Sequence, residues 1–512
     1  EIQKFESSGF YKTVGKFITE KDKSTIINTD LNENLKDKNQ AKTFLNNCIE
    51  SEFVVSDVTT KKSTRKPSPP FITSTLQQEA STKLRMSPKN TMASAQKLFE
   101  AGKITYMRTD SVELSKEAIE MISKHINKNY GEDYLNIKHY KSKSKNSQEA
   151  HEAIRPCDFN VTNVSDDETM TTYEDRLYRL IWKRTVASQM SSAKVEICTT
   201  KISVSKEPDY YFTTKNEKIL FDGFLKVYKP TQENEDSDEE SNNTFIKLKK
   251  GDILKKREIM SSERFSKPPH GRFTEASLIK KLDEMGIGRP STYSNMVTVV
   301  QDRNYANKKD KEGVDKDINI YKLTDKGSIE KQKNQIKIGG EKQKLFPSQI
   351  GFIVNEFLLK HFSNILDYKF TANLESQLDN ISEGSAKWDE TVKKIYDMFH
   401  PKLTELGHSD DLEKDKFKRI LGSDPDTGYP IKTYIAKYGP VVQLEGPNNN
   451  HKFAPLKDID IKDVTLEDAL KLLRYPYDIC MYKKKPVTVC KGKYGIYIKY
   501  NGKNHSIGER SE

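Results

Sequence analysis

The hydrophobic pattern of this chain changes period in long blocks, and those changes constrain its architecture more than any single motif. Residues 1–68 carry short alternating runs, such as Phe10-Tyr11-Lys12-Thr13-Val14, which read as strands and loops. The basic, Pro-rich stretch from Lys61 to Pro70 reads as a linker. Helical spacing follows: Leu76, Ala80 and Leu84 recur every four residues, and Met92, Ala95 and Phe99 at three and four. Ser87-Pro88 predicts an N-cap followed by proline at the first helical position, and Gly102 predicts the stop. A strand-like stretch is expected at Lys103–Arg108, a helix around Lys116–Ile126, and strands at Val195–Val204 and near Phe221–Tyr228. From about Phe273 to Leu403 the pattern is mostly helical, with Leu374, Leu378 and Ile381 at helical spacing. Lys138–Lys145 reads as a solvated basic loop, and the acidic Gln232–Asn243 stretch as a flexible insertion.

At 512 residues the chain exceeds a single core and calls for roughly three to five domains. Hydrophobic residues make up 34% and charged residues 31%, a high surface-to-core balance. It suits an elongated or perforated molecule and equally a loop-rich soluble one. A net charge of +11 allows a polyanionic partner without requiring one. No run of apolar residues is long enough to span a membrane, and no signal-like segment opens the chain. The first residues, Glu1-Ile2-Gln3-Lys4, lack an initiator Met and suggest a fragment or a processed chain. Cys48, Cys157, Cys198, Cys480 and Cys490 are scattered, with no Cys-x-x-Cys pair, so neither a disulfide framework nor a zinc ribbon is expected. A reducing compartment is the simple reading. No P-loop motif occurs, which excludes nucleotide triphosphate binding of that kind.

The tail holds an internal repeat. Ala436-Lys437-Tyr438-Gly439-Pro440-Val441-Val442-Gln443-Leu444 matches Gly492-Lys493-Tyr494-Gly495-Ile496-Tyr497-Ile498-Lys499-Tyr500, 56 residues later. A duplicated small β module is expected, serving either as plain structure or as a surface where Tyr faces stack on bases and Lys meets phosphates.

Three segments carry chemistry-bearing residues. In Gly102–Ser111, a period of two places Tyr106 and Arg108 on one side of an extended chain. A phenol titrates near pKa ~10 and is a poor nucleophile until deprotonated or held by cations. A neighbouring guanidinium can orient a phosphodiester and offset the charge that grows during in-line attack. The pair suits phosphoryl transfer to tyrosine, although Tyr-x-Arg is more often ordinary surface. The second segment, Gln148-Glu149-Ala150-His151-Glu152-Ala153-Ile154-Arg155-Pro156, offers an imidazole that can move a proton or position a phosphate; helix packing is the plainer use. The third runs from Gly271-Arg272-Phe273 to Gly286-Ile287-Gly288-Arg289-Pro290-Ser291-Thr292-Tyr293. Loop amides, hydroxyls and a helix N-terminus there could form a phosphate niche, or the glycines could simply turn the chain.

Taken in order, these segments closely resemble the signature blocks of the type IA family, the bacterial-type DNA topoisomerase I. Pro70–Ala80 resembles the entry to that family's tyrosine domain, Ile104–Ser111 its active-site block, Gln148–Pro156 its histidine block, and Leu177–Arg184 the exit from the same domain. Arg272–Lys280 with Gly286–Tyr305 resembles its single-strand-binding helical domain, and Phe370–Asp379 and the terminal repeats resemble later elements. The resemblance implies a mixed α and β multidomain toroid. Its strand-rich arch would come from residues 1–68 and 191–262, its tyrosine domain from 69–190, its helical DNA-binding domain from 263–405, and two Lys-Tyr-Gly repeats from 415–512.

Position by position, the resemblance makes Tyr106 the residue that becomes 5′-phosphotyrosyl-linked and Arg108 the one that positions the scissile phosphate. His151 is implied to assist. Arg155, Arg272, Arg289, Ser291, Thr292 and Tyr293 are implied to contact DNA. The implied activity is relaxation of negatively supercoiled DNA without ATP, through transient cleavage of one strand, strand passage and religation. The alternative is a non-catalytic single-stranded nucleic-acid-binding protein derived from the family. A type IB enzyme or tyrosine recombinase would instead leave a 3′-phosphotyrosyl link. The family's Toprim domain, with the acidic residues that bind Mg²⁺, has no counterpart in this sequence. The resemblance therefore implies Mg²⁺ use through that domain, no metal bound by motifs here, and poor cleavage by this chain alone. The expected partners are single-stranded and negatively supercoiled DNA, with no membrane. The expected state is a monomer, with or without a Toprim-containing segment, in an intracellular, reducing, DNA-associated setting such as cytoplasm, nucleoid or viral factory.

Overall fold

The computed structural model describes residues 2–20, 23–141, 151–230, 247–408, 418–436, 439–447, 450–456, 459, 461, 463–483, 485–492 and 495–506. Contacts divide the chain into two units, one of residues 1–346 with 371–379 and the other of 347–370 with 380–512. The acidic stretch Gln232–Asn243 and half of the Lys138–Lys145 loop, residues 142–145, lie outside the described residues, as do Gln148 and Glu149.

The first unit opens with β1 (Gly9–Thr19), β2 (Ile27–Leu31), α1 (Lys38–Asn47) and β3 (Phe53–Arg65). A helical tract follows: α2 (Thr73–Leu84), α3 (Pro88–Glu100), α4 (Lys116–Asn129) and α5 (Thr172–Ser188). Then β4 (Ala193–Val204), β5 (Glu207–Phe221) and β6 (Ile253–Phe265) return to the first strands. The sheet order β1-β2-β5-β4-β3-β6 closes on itself through an antiparallel β1–β6 pairing that runs from Gly9↔Phe265 to Thr19↔Leu254. Closure is partial, because β2–β5 and β3–β6 each pair over only two residues. Phe17, Phe44, Phe53 and Phe212 fill the interior, with ring centroids 4.9–6.3 Å apart, and each such pair contributes about 1 kcal/mol beyond its area. The helical tract, inserted between β3 and β4, has its own core of Phe71, Leu76, Leu98, Ile104, Met107, Ile122, Tyr178 and Trp182.

Local chemistry explains the helix ends. Ser87 Oγ accepts the Asn90 amide at 3.2 Å with Pro88 at the first helical position. Gly102, at φ +67°, closes the same helix through its amide to the Phe99 carbonyl and the Lys103 amide to Leu98. Several expectations fail. The linker expected at Lys61–Pro70 begins only after Arg65, because Lys61–Arg65 pairs with β4 as the end of β3. Phe221–Tyr228 is not a strand: β5 ends at Phe221, and Phe224 and Tyr228 turn into the helical core. The tract beyond Phe273 is not uniformly helical. After α6 (Glu275–Glu284) and α7 (Tyr293–Asp302) come β7 (Ala306–Lys311), β8 (Val314–Thr324), β9 (Ile329–Ile338) and β10 (Glu341–Pro347). Strands β8 and β9 extend the large sheet outward from β6, and β7 pairs with β10.

In the second unit lie α8 (Gln349–His361), α9 (Ser363–Leu366), part of α10 (Tyr368–Ser382) and α11 (Trp388–His408). Two four-stranded antiparallel sheets follow. The first is β11 (Arg419–Ser423), β12 (Pro430–Ala436), β13 (Gly439–Leu444) and β14 (Lys452–Pro455), covered by α12 (Leu466–Leu473). The second is β15 (Tyr477–Tyr482), β16 (Lys485–Gly492), β17 (Gly495–Tyr500) and β18 (Lys503–Ser506). The two halves of the sequence repeat end in β13 and β17, each the third strand of its sheet. The duplication is one of structure as well as sequence.

Candidate active site

Residues 103–110 are not the strand their alternation suggested; only Ile104 makes a β-bridge, to Pro156. The period of two nevertheless holds where it matters. Met107 and Thr109 point inward, 1% and 2% exposed, while Tyr106 (43%) and Arg108 face solvent. What replaces a strand partner is Thr73, buried at the start of α2. Its hydroxyl shares its one proton between the carbonyls of Met107 (2.8 Å) and Thr109 (3.0 Å) and accepts the Thr109 amide (2.9 Å). The Thr73 amide also donates to the Thr109 carbonyl at 3.0 Å. The loop is thus held by its inward residues, and the outward pair is presented without being packed. Phe99, on α3, meets the Tyr106 ring edge-on at 5.2 Å, which limits the ring's rotation. Among the described residues, Arg108 has no acidic partner.

The histidine block lies directly alongside. The Thr105 amide donates to the Arg155 carbonyl (2.9 Å), the Thr105 hydroxyl to the Ala153 carbonyl (2.7 Å), and the Cys157 amide to the Lys103 carbonyl (3.0 Å). Ile154 bridges to Phe71 across the core. His151 sits two residues from the Ala153 contact, half-buried, with no ring partner among the described residues. Arg155 does not face outward as a DNA ligand. It pairs with both oxygens of Glu152 (2.5 and 2.9 Å) and donates to the Pro156 carbonyl. Glu152 in turn accepts the Ser115 amide just before α4, so Arg155 is scaffolding for the block.

The Gly-rich segment is brought against the same helical tract. Helix α6 packs on α2, where Ser74 Oγ donates to Asp283 (3.1 Å), and the Tyr293 hydroxyl donates to the other Asp283 oxygen (3.0 Å). Tyr293 is buried, 6% exposed, and burial with the Asp283 and Asp110 charges pushes its phenol up. It joins helices rather than offering a face to a base. At φ +88° a side chain at Gly288 would be strained and crowded, its Cβ 3.0 Å from Thr292 Oγ1 and 3.2 Å from Met296 Sδ. Thr292 Oγ1 accepts the Arg289 amide and donates to the Arg289 carbonyl, fixing the turn. Only Ser291 is exposed. Arg289 and Arg272 are both ion-paired, Arg289 to Asp379 (2.9 Å) and Glu375 (3.7 Å), Arg272 to Glu341 with its plane 4.4 Å over Phe346. The expected row of DNA-facing groups is therefore, in this state, mostly engaged within the protein. The blocks Pro70–Ala80 and Phe370–Asp379 contain Thr73, Glu375 and Asp379, but no spacing assigns these residues a role, because each acts on a residue far away in the chain.

No group of three His, Cys, Asp or Glu side chains among the described residues is placed to hold a metal ion. The Asp110 charge instead acts on the Tyr293 phenol, helping to raise it. These residues do not fit a Mg²⁺ site, and no step is assigned to one here.

The chain matches the family described as DNA topoisomerase over residues 1–328 and 322–393, and the topoisomerase C-terminal repeat over 424–478. It belongs to the type IA DNA topoisomerase family. The DNA topoisomerase 1 of prokaryotic type from Acanthamoeba polyphaga mimivirus is 42% identical over 480 residues, covering 91% of this chain and 56% of that protein. DNA topoisomerase 1 of Rickettsia felis is 34% identical, covering 96% of this chain and 68% of that protein. The full-length topoisomerase I of Thermotoga maritima shares the fold, with a TM-score of 0.63 at 24% identity over 89% of this chain and 69% of that one. The chain thus spans a little over half of its mimivirus relative. Among the described residues no helix is long and apolar enough to cross a membrane.

Proposed function

We propose that this chain is the strand-cutting and strand-holding body of a type IA DNA topoisomerase. The observation that carries the reading is the loop stapled by Thr73, which presents Tyr106 and Arg108 to solvent on one side. In the proposed step the Tyr106 oxygen attacks the scissile phosphorus as its phenolic proton leaves. A P–O bond to Tyr106 forms, and the bond from phosphorus to the 3′ oxygen breaks. That oxygen takes up a proton and the downstream strand keeps its 5′ phosphate on Tyr106. Arg108 offsets the charge on the non-bridging oxygens, and His151 is assigned a proton-handling or positioning role. The ester retains the bond's energy, so resealing by the 3′ hydroxyl needs no ATP. Strand passage through the break would relax negatively supercoiled DNA. Ser291 and the loop at α7 would meet the single strand, with Arg272 and Arg289 joining once released from their carboxylates. Mg²⁺ would act from residues other than those described here. A monomer in a reducing, DNA-associated compartment fits this reading, and all five cysteines are free.

The test is the polarity of the covalent link. A single-stranded oligonucleotide labelled at its 3′ end, with sulfur in place of the scissile 3′ bridging oxygen so that the leaving group needs no proton, should leave label on the protein after incubation and denaturation. The same oligonucleotide labelled at its 5′ end should not. Transfer of the 5′ label, as a type IB enzyme gives, would overturn the reading. DNA binding with no adduct under any condition would favour the non-catalytic alternative.

A further inference from the structure

All three guanidinium nitrogens of Arg289 have a partner inside the protein: Nε faces Glu375, Nη2 pairs with Asp379, and Nη1 donates to the Gly288 carbonyl at 3.2 Å. The two carboxylates come from one face of α10. That face also carries Ala372, whose Cβ lies 3.8 Å from where a Cβ of Gly286 would stand, so residues 372, 375 and 379 grip the Gly286–Thr292 turn together. Residues 371–379 belong with the turn in the first unit, although the rest of α10 does not. One guanidinium is therefore shared between two carboxylates, and a phosphate approaching Arg289 in this state must compete with both of them. Arg108, by contrast, is exposed and has no such counter-ion among the described residues.

We infer that Glu375 and Asp379 are a built-in competitor for DNA at Arg289, a latch that a backbone phosphate must displace before the Gly286–Thr292 turn can grip a strand. The inference rests on the proposed function, in which this turn faces single-stranded DNA. The latch keeps Arg289 oriented while lowering its affinity for stray phosphates, so that only a strand making several contacts at once opens it. The pairs are partly exposed, with side-chain accessibilities of 19–34%, and partly exposed ion pairs of this kind are weak enough to be exchanged.

The experiment is fluorescence anisotropy with a labelled oligothymidylate across a salt series. It compares wild type, Glu375→Gln, Asp379→Asn and the double variant, with thermal unfolding to confirm that each is folded. The double variant should bind about 3- to 10-fold more tightly. Its log-affinity against log-salt slope should steepen by about 0.7, the value of one added single-strand phosphate contact. Asp389→Asn with Glu390→Gln on α11 makes the same change in net charge and should give a smaller gain. Arg289→Gln in the double background should abolish the gain. If wild type binds and the double variant binds equally or more weakly, the latch is overturned and the functional reading stands. If wild type does not bind single-stranded DNA at all, the functional reading falls and takes the latch with it. Should the double variant fail to fold, Glu375→Gln alone decides the matter by the same criterion.

Discussion

Replacing Thr73 by Val tests whether the presentation of Tyr106 depends on a single buried hydroxyl. Thr73 is fully buried, and Val keeps its shape while removing Oγ1. The backbone bond from the Thr73 amide to the Thr109 carbonyl survives, because it does not involve the side chain. Three contacts are lost: those to the carbonyls of Met107 and Thr109, and the one accepted from the Thr109 amide. The Thr109 carbonyl keeps a partner, but the Thr109 amide and the Met107 carbonyl do not. A buried donor left without an acceptor costs about 1–3 kcal/mol, and a central value of about 2 is reasonable here. That corresponds to roughly a 30-fold loss of protection at the Thr109 amide, if the loop opens locally. The assay is hydrogen exchange at that amide together with the urea midpoint, in wild type, Thr73→Val and Thr73→Ser. The Ser variant retains the hydroxyl and should stay close to wild type. Adduct yield in the Val variant should fall at least about tenfold, with oligonucleotide affinity nearly unchanged, because the loop's geometry and not its charge is altered. Unchanged Thr109 protection and unchanged adduct yield in Thr73→Val would refute the reasoning.

Other sites give sharper stability effects. Arg184 lies between the rings of Phe71 (4.8 Å) and Tyr228 (5.4 Å), donates to the Pro69 carbonyl at 2.7 Å, and approaches Glu79 at 3.5 Å. It joins α5 to the stretch that leads from β3 into the helical tract and to the segment that follows β5. Arg184→Met should destabilise by about 3 kcal/mol in equilibrium unfolding, and Arg184→Lys should recover less than half, since Lys cannot stack or donate as a planar fork. Burial opposes ionisation of Glu174, but hydrogen bonds from Ser94 and Thr171, with the Lys97 charge, outweigh it and hold the carboxyl at about 2. Because the folded value lies below the unfolded one, the stabilisation is complete above the ordinary carboxylate range and is lost as pH falls from about 4.5 to 2. Unfolding followed over that window should show wild type losing roughly 2 kcal/mol more than Glu174→Gln.

Some of this was legible in sequence for plain physical reasons. A period of two put Tyr106 and Arg108 on one side, and it survives without a strand because Met107 and Thr109 still need burial. The Ser87-Pro88 start and the Gly102 stop depend only on local backbone chemistry, so local residues reveal them. Strands β7, β9 and β10 were missed because they are Lys-rich and mostly exposed; Ile329–Ile338 buries almost nothing and shows no apolar alternation, and in β8 only the second half, with Ile318, Tyr321 and Leu323, is buried. Tyr228 was read as part of a strand, when its ring serves as a wall for Lys83, at 3.8 Å, and Arg184. The partners of Arg289 lie about ninety residues away, where no spacing rule reaches. For that reason the sequence suggested exposed DNA ligands and the structure shows paired ones.

The central claim is that the Tyr106 oxygen is the nucleophile, and it can be tested apart from any acid that assists the leaving group. An oligonucleotide whose scissile 3′ bridging oxygen is replaced by sulfur has a thiolate leaving group that needs no proton. Wild-type protein should displace that thiolate and become joined to the 5′ phosphate, with the adduct mapping by peptide analysis to Tyr106. Tyr106→Phe, which removes one oxygen and leaves the contact with Phe99 in place, should bind the same oligonucleotide and give no adduct. An adduct formed by Tyr106→Phe, or one mapped to another residue in wild type, would contradict the account.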